Sequence, residues 1–368
     1  MRIERIELHH VKMRLKNTFI TSFGEELDRE CLLVRVFSEG LDGWGECVAT
    51  RVPGFSYETV ETAWHILRDF FIPAILNRQI SHPRELKQHL QAYKGHPLAR
   101  AGLEMALWDI RGKLDGKCLR ELFGGEKYSV PVGVSVGIQE NPEAMIAKVG
   151  EYLQLGYGRI KIKIKPGADQ DVAKAVRDRY PDINLQVDAN AAYALSDAPL
   201  FKDLDPLDLS MIEQPLAEDD LIDHAELQKQ INTPLCLDES IRNQRHAGQA
   251  IALEACRVIN IKSGRVGGLT EAIEIHDRCV REGVPVWCGG MLETGIGRAA
   301  NLALASLPGF ALPGDISASD RYYDPDIAEP RFTLNSDSTI DVPDKPGLGV
   351  DVLDEELERV IVKVDVLT

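Results

Sequence analysis

No stretch of 18 consecutive apolar residues occurs in this chain, so the sequence offers no candidate for a membrane-spanning helix. Its first residues, MRIERIELHH, have no apolar leader core and alternate as a strand does, which leads us to expect a cytoplasmic protein. Positive charge is scarce: 42 Lys and Arg stand against 58 Asp and Glu, a net charge of −16. That balance argues against nucleic acid and anionic membrane as partners, because both demand basic patches. It leaves open a small carboxylate substrate, since a local site can be positive on an acidic protein. No CxxC joins the seven cysteines and no HExxH the nine histidines, which removes the common zinc patterns. The odd cysteine count and irregular spacing read as buried free thiols.

What is present is a ruler. Lys163, Asp188, Glu213, Asp238 and Lys262 are separated by 25, 25, 25 and 24 residues, and each stands at or near the end of a short β-rich run. One strand per period of about 25 residues is the signature of a (β/α) barrel, whose strand ends converge on the face that carries the chemistry. The ruler therefore predicts three carboxylates grouped between two lysines. Grouped carboxylates repel unless a cation joins them, and an all-oxygen donor set suits Mg²⁺.

The chain divides into three parts. Residues 1–127 read as an α+β capping domain: strands RIERIELHHVKM, CLLVRVFSEG and GWGECVAT, then helices over YETVETAWHILRDFFIPAIL and ARAGLEMALWDIRGKLDG. GLDGWG reads as a hairpin turn, and KNTFITSFGEELD as a loop able to act as a lid. Residues 128–318 alternate strand and helix through eight strand candidates, from VPVGVSVG to FALPGD, with no clear helix after the eighth. Residues 319–368 are loop-like and then β-rich, and are expected to return to the first domain. The fold class is α/β: a modified (β/α)₇β TIM-like barrel under an α+β cap.

In RIKIKIK, Ile160, Ile162 and Ile164 share one face and Lys161, Lys163 and Lys165 the other. With the isoleucines against the helices, the lysines point into the lumen, where crowding and desolvation lower a lysine's pKa toward base duty. Asp188, Glu213 and Asp238 taken singly fit helix caps; in register they fit metal ligands. Asn190 and Gln214 either bind substrate or shape loops, and Glu239 either orients Lys262 or ligates through water. KSGRVGG, after Lys262, fits neither GxGxxG nor GxxxxGK(S/T). Strands two and six face each other across a barrel, so Lys163 and Lys262 would flank a substrate from opposite sides, as a two-base racemase or an eliminating enzyme requires. The small residues of GGMLETGIGR precede a helix N-terminus suited to an anion, and Arg298 either pairs a carboxylate or is a surface residue. These groups support removal of a proton α to a Mg²⁺-bound carboxylate by Lys163, with Lys262 adding charge or a proton from the other face.

At this point the residues resemble the enolase superfamily, whose use of Lys or His bases with Mg²⁺ is a known pattern. Lys161 and Lys163 in KxK, VDAN at Asp188, IEQP at Glu213, LDES at Asp238 and IKSGRVGG at Lys262 are similar to the muconate-lactonising subgroup. GWGECVA, GGMLETGIGRAANLALASLPGF and LPGDISASDRYY resemble its o-succinylbenzoate synthase and N-succinylamino acid racemase family. The resemblance implies dehydration of a succinyl-cyclohexadiene carboxylate in menaquinone biosynthesis, racemisation of N-acylamino acids, or both. A muconate cycloisomerase or dipeptide epimerase is the alternative enzyme, and a non-catalytic metal-binding barrel the remote one. It implies that Lys163 is the base and Lys262 the opposing lysine. Ser135, Lys161, Asn190 and Gly289, Gly290 and Met291 would line the substrate; Arg265 fits the pattern of racemising members; Phe19, Thr21 and Ser22 would lie in the lid. A homo-oligomer is expected. Lys165-Pro166 departs from the family, where an acidic residue precedes the proline.

Overall fold

The computed structural model describes residues 1–368. Its first part is an antiparallel sheet of β1 (Arg5–Thr21), β2 (Gly24–Ser38) and β3 (Leu41–Cys47), extended on the β1 side by the C-terminal strand Ile361–Leu367. The β2–β3 hairpin turns on Glu39 and Gly40, both with positive φ, the geometry a two-residue hairpin favours. The turn therefore precedes GLDGWG, and the glycines of that motif have a different task. A Cβ on Gly45 would come within 2.0 Å of the Gly102 carbonyl oxygen in the long helix Pro97–Asp115. The glycines let helix and strand approach backbone to backbone. KNTFITSFGEELD is likewise no loop: β1 runs through Phe19 and Ile20 to Thr21, and pairing resumes there with Gly24–Glu26. Aromatic and β-branched residues there favour strand, so the lid is the tip of a hairpin.

The second part is a parallel sheet in sequence order, β5 (Val134–Val136), β6 (Arg159–Lys163), β7 (Asn184–Asp188), β8 (Ile212–Glu213), β9 (Leu235–Leu237), β10 (Val258–Ile261) and β11 (Val286–Cys288). FALPGD does not form an eighth strand. Closure is made by two isolated parallel bridges, Val286 to Phe310 and Val132 to Gly314. Pro313 has no N–H to give a ladder, which accounts for the interruption. VPVGVSVG also splits. Its start is β4 (Ser129–Pro131), paired antiparallel with Thr339–Asp341, and only its second half enters the barrel. The chain after the barrel thus runs back along β4 and ends beside β1.

Two hydrophobic cores result. Ile6, Leu8, Leu32 and Val34 pack with the cap's own helices, whereas Val11, Met13, Leu15 and Leu33 join the barrel core. The sheet seats the cap on the barrel, which brings the hairpin tip over the strand ends.

Candidate active site

Register assembles the site. Lys163 is opposite Asp188, and Asp188 opposite Glu213. Glu213 is opposite Cys236, so Asp238, two residues on, shares its face. All three carboxylates are buried, as are Lys161, Lys163 and Lys262. Because β6 and β10 are four positions apart in an eight-position ring, Lys163 and Lys262 lie on opposite walls.

The ions are paired. Lys163 Nζ donates to Asp188 Oδ2 at 2.6 Å and to Asn190 Oδ1 at 2.7 Å. Lys262 Nζ donates to Asp238 Oδ2 at 2.7 Å, beneath the ring of Phe55 at 4.5 Å. Lys161 Nζ lies 2.6 Å from Glu213 Oε2, 2.6 Å from Asp315 Oδ2 and 3.2 Å from Asp188 Oδ2. Burial opposes its charge, but Asp315, Glu213 and Asp188 outweigh burial and hold its pKa well above the ordinary value. The expected depression by lysine crowding is therefore corrected for Lys161: carboxylates outnumber lysines around it. Lys165 lies past the strand end, half-buried in a turn that bridges to Ala168, so it is not a lumen residue.

Among the carboxyls, burial opposes ionisation of Asp188, yet Lys163 and Lys161 drive its pKa far below the usual range. Glu213, buried and next to Asp188, is raised. Glu239 is pushed up to about 7 by burial and by Asp188. Asn190 and Gln214 adopt positive φ, strained backbone of the kind found at functional sites. Asn190 Nδ2 reaches Glu239 Oε1 at 3.0 Å. Gln214 accepts from the backbone of Asp238 and Ser240 and so shapes the loop after β9.

In this arrangement no three acidic, histidine or cysteine side chains converge as a ligand cage, because lysines and Arg265 hold the carboxylate oxygens. The donor set nevertheless fits a hard divalent cation. It consists of three buried carboxylates on adjacent strands, with the buried Glu239 Oε2 beside them lacking a hydrogen-bond partner.

Above these groups is a cavity of about 360 Å³. Ser135, Lys161, Lys163, Asn190, Lys262, Gly290 and Met291 line it from the barrel, and Phe19, Thr21, Phe23, Arg51 and Phe55 from the cap. Glu239 and Arg265 open instead on an adjoining cavity of about 350 Å³ that shares Phe23, Phe55 and Asn190. Ser22 donates to the Asn190 carbonyl at 3.3 Å rather than lining the space. Gly289 is a packing glycine: a Cβ would lie 2.3 Å from Asn260 Oδ1. Arg298 is neither at the surface nor paired with a carboxylate; it is buried and donates to the Ser317 and Glu293 carbonyls. The N-terminus of helix Gly295–Ala305 is also taken. Glu46, from β3 of the cap, accepts from Thr294 Oγ1 at 2.7 Å and from the Thr294 and Gly297 amides, so the expected anion there is internal.

Four participants escaped the sequence reading. Arg159 and Asn260 lie two residues before Lys161 and Lys262, so period-two alternation points to both. Arg159 pairs with Asp315 at 2.6 Å, and Asn260 donates to Glu213 Oε1 at 2.7 Å. Asp315 stands 53 residues past Lys262, two further ruler periods, at the eighth position. Phe55 carried no local signal.

Residues 4–124 match the family model "Mandelate racemase / muconate lactonizing enzyme, N-terminal domain", and residues 144–357 match "Enolase C-terminal domain-like". An o-succinylbenzoate synthase of Geobacillus kaustophilus is 49% identical, covering 97% of this chain and 95% of its own. An N-succinylamino acid racemase of Amycolatopsis is also 49% identical, covering 98% of each. The crystal structure of an enolase superfamily member from Listeria innocua superposes with a TM-score of 0.96 at 39% identity, covering 100% of this chain and 99% of that one. Lysines on opposing strand ends, a row of carboxylates between them and full-length likeness to these relatives lead to one conclusion: the chain belongs to the enolase superfamily, in its muconate-lactonising subgroup, beside the o-succinylbenzoate synthases and N-succinylamino acid racemases.

Proposed function

We propose that this chain is an o-succinylbenzoate synthase that also racemises N-succinylamino acids, both reactions starting with removal of a proton α to a carboxylate. The observation that carries the reading is the pair Lys163 and Lys262, on opposite walls of one cavity. Likeness at 49% identity to one relative of each name supports both activities on one site.

Asp188, Glu213 and Asp238 would hold Mg²⁺, which when bound supplies the positive charge that stabilises a substrate carboxylate as its α-proton leaves. Lys163, fixed by Asp188 and Asn190, takes the proton. Lys262 faces the other side of that carbon: it stabilises developing negative charge during dehydration and returns a proton from the opposite face during racemisation. Lys161, held by Asp315, adds a fixed positive charge for the carboxylate. Phe19 and Phe55 wall the cavity from the cap and keep water from the carbanion. Seven free, buried cysteines and no disulfide support a reducing compartment, and we place the enzyme in the cytoplasm as a homo-oligomer.

A paired assay with Mg²⁺ tests the reading. One arm follows o-succinylbenzoate formation from the cyclohexadiene substrate. The other follows α-proton exchange of N-succinylamino acids in D₂O. Activity in both is expected. Activity in the second alone would make racemisation the function, and silence in both would overturn the proposal.

A further inference from the structure

The cap sheet ends on an open edge. Its order is Ile361–Leu367, β1, β2, β3, so the C-terminal strand pairs with β1 on one side and with nothing on the other. An unpaired edge is a template for another strand unless blunted by proline, by a short length or by a cover. This edge has seven residues, IVKVDVL, and no proline. Its one irregularity is a register skip at Val362, between the His10–Lys363 and Val11–Ile361 pairs.

Its side chains are also unusual for a solvent edge. Val362, Val364 and Val366 are 54%, 44% and 51% exposed on one face. Ile361, Lys363, Asp365 and Leu367 are half-buried on the other. A polar-out pattern would put the charged residues where the valines are.

We propose that this edge docks a second copy of the same chain, the two C-terminal strands pairing antiparallel about a two-fold axis at Val364. The charges select both the partner and the register. A two-fold axis perpendicular to the sheet keeps each side chain on its own face, so only registers centred on a residue are allowed. Centring on Lys363 would put lysine against lysine, and centring on Asp365 aspartate against aspartate. Centring on Val364 puts each Lys363 opposite the Asp365 of the other copy, twice. Like charges directly opposite destabilise a pair and opposite charges stabilise it. The same register stacks Val362 against Val366 and Val364 against its symmetry mate, covering all three exposed valines. The two four-stranded sheets become one of eight strands.

Sedimentation and cross-linking of the full chain test this. The wild-type protein is expected to self-associate. Asp365→Lys, which sets lysines against lysines, is expected to weaken association by about ten-fold or more. Lys363→Asp combined with Asp365→Lys restores opposite charges and is expected to regain it. Val364→Cys, at the axis, is expected to form an intermolecular disulfide under mild oxidation, because directly opposed residues lie about 4.5–5.5 Å apart. Val362→Cys is expected not to, since its counterpart is Val366. A monomeric wild type, association unchanged by Asp365→Lys, failure of the double exchange to rescue it, or equal cross-linking at both cysteines would overturn the proposal. Thermal melts separate loss of pairing from loss of folding.

Discussion

Glu104 offers a quantitative prediction of unusual sign. It is buried in helix Pro97–Asp115 of the cap and accepts from the Thr270 amide, at the start of barrel helix Leu269–Glu282, at 3.1 Å. Burial raises its pKa from the ordinary 4.5 to about 7, a shift that the Thr270 hydrogen bonds and Arg100 only moderate. Between those two values the folded protein binds a proton that the unfolded chain does not. Stability therefore falls as pH rises through that window, and the full cost is present above it. At about 1.4 kcal/mol for each pH unit, the separation corresponds to about 3 kcal/mol. Glu104→Gln keeps an acceptor for Thr270 and removes the charge. It should be close to neutral at pH 5 and should stabilise by up to about 3 kcal/mol at pH 8. Urea unfolding of both proteins at pH 5, 6, 7 and 8 measures this, the variant-minus-wild-type difference cancelling the contribution of every other titrating group. A difference that does not change with pH would refute the reasoning, as would a variant less stable at pH 8 than at pH 5 relative to wild type.

Four further outcomes follow from the site. Lys163→Ala should abolish α-proton exchange while leaving Mg²⁺ binding, read by calorimetry, within a few-fold; unchanged exchange would remove Lys163 as the base. Asp188→Asn, Glu213→Gln and Asp238→Asn should each weaken Mg²⁺ binding by about ten-fold or more, and wild-type affinity in all three would eliminate the metal site. Asp315→Asn should raise KM for the carboxylate substrate more than it lowers kcat, because Asp315 holds Lys161 and Arg159 rather than the base; an equal fall in kcat would assign it to the chemistry. Arg298→Ala should destabilise by about 3 kcal/mol through the Ser317 and Glu293 carbonyls it leaves bare, and a Tm within a degree of wild type would show that the buried guanidinium is dispensable.

The barrel was legible because its strands repeat: a fixed period carries topology, and a residue at each strand end inherits its place from the period. Lys163, Asp188, Glu213, Asp238 and Lys262 needed no other information. Asp315 could have been found by continuing the same ruler across a segment that Pro313 disqualified as a strand. What could not be read were properties set by contacts between distant segments. Arg298 looks like a ligand-binding arginine until Ser317 and Glu293 are known to lie beside it. GWG looks like a turn until helix Pro97–Asp115 is laid across it. Phe55 is one aromatic in an irregular loop, and only the seating of the cap puts its ring over Lys262.

That seating depends on a device repeated within the fold. Three barrel and cap helices begin at buried glutamates rather than at short polar caps: Glu104 at Thr270, Glu46 at Thr294 and Gly297, and Glu58 at Leu98 and Ala99. Glu104 and Glu46 cross from cap to barrel. A carboxylate at a helix N-terminus is favoured by the free amides and the helix dipole, but here burial outweighs both and pushes all three toward pKa 7. The docking contacts of the cap are thus strained by charge at neutral pH. The same cap supplies Phe19 and Phe55 to the cavity. A cap held by contacts that weaken on deprotonation can lift from the barrel without unfolding either core, and a cavity closed on both sides needs such a movement to admit substrate.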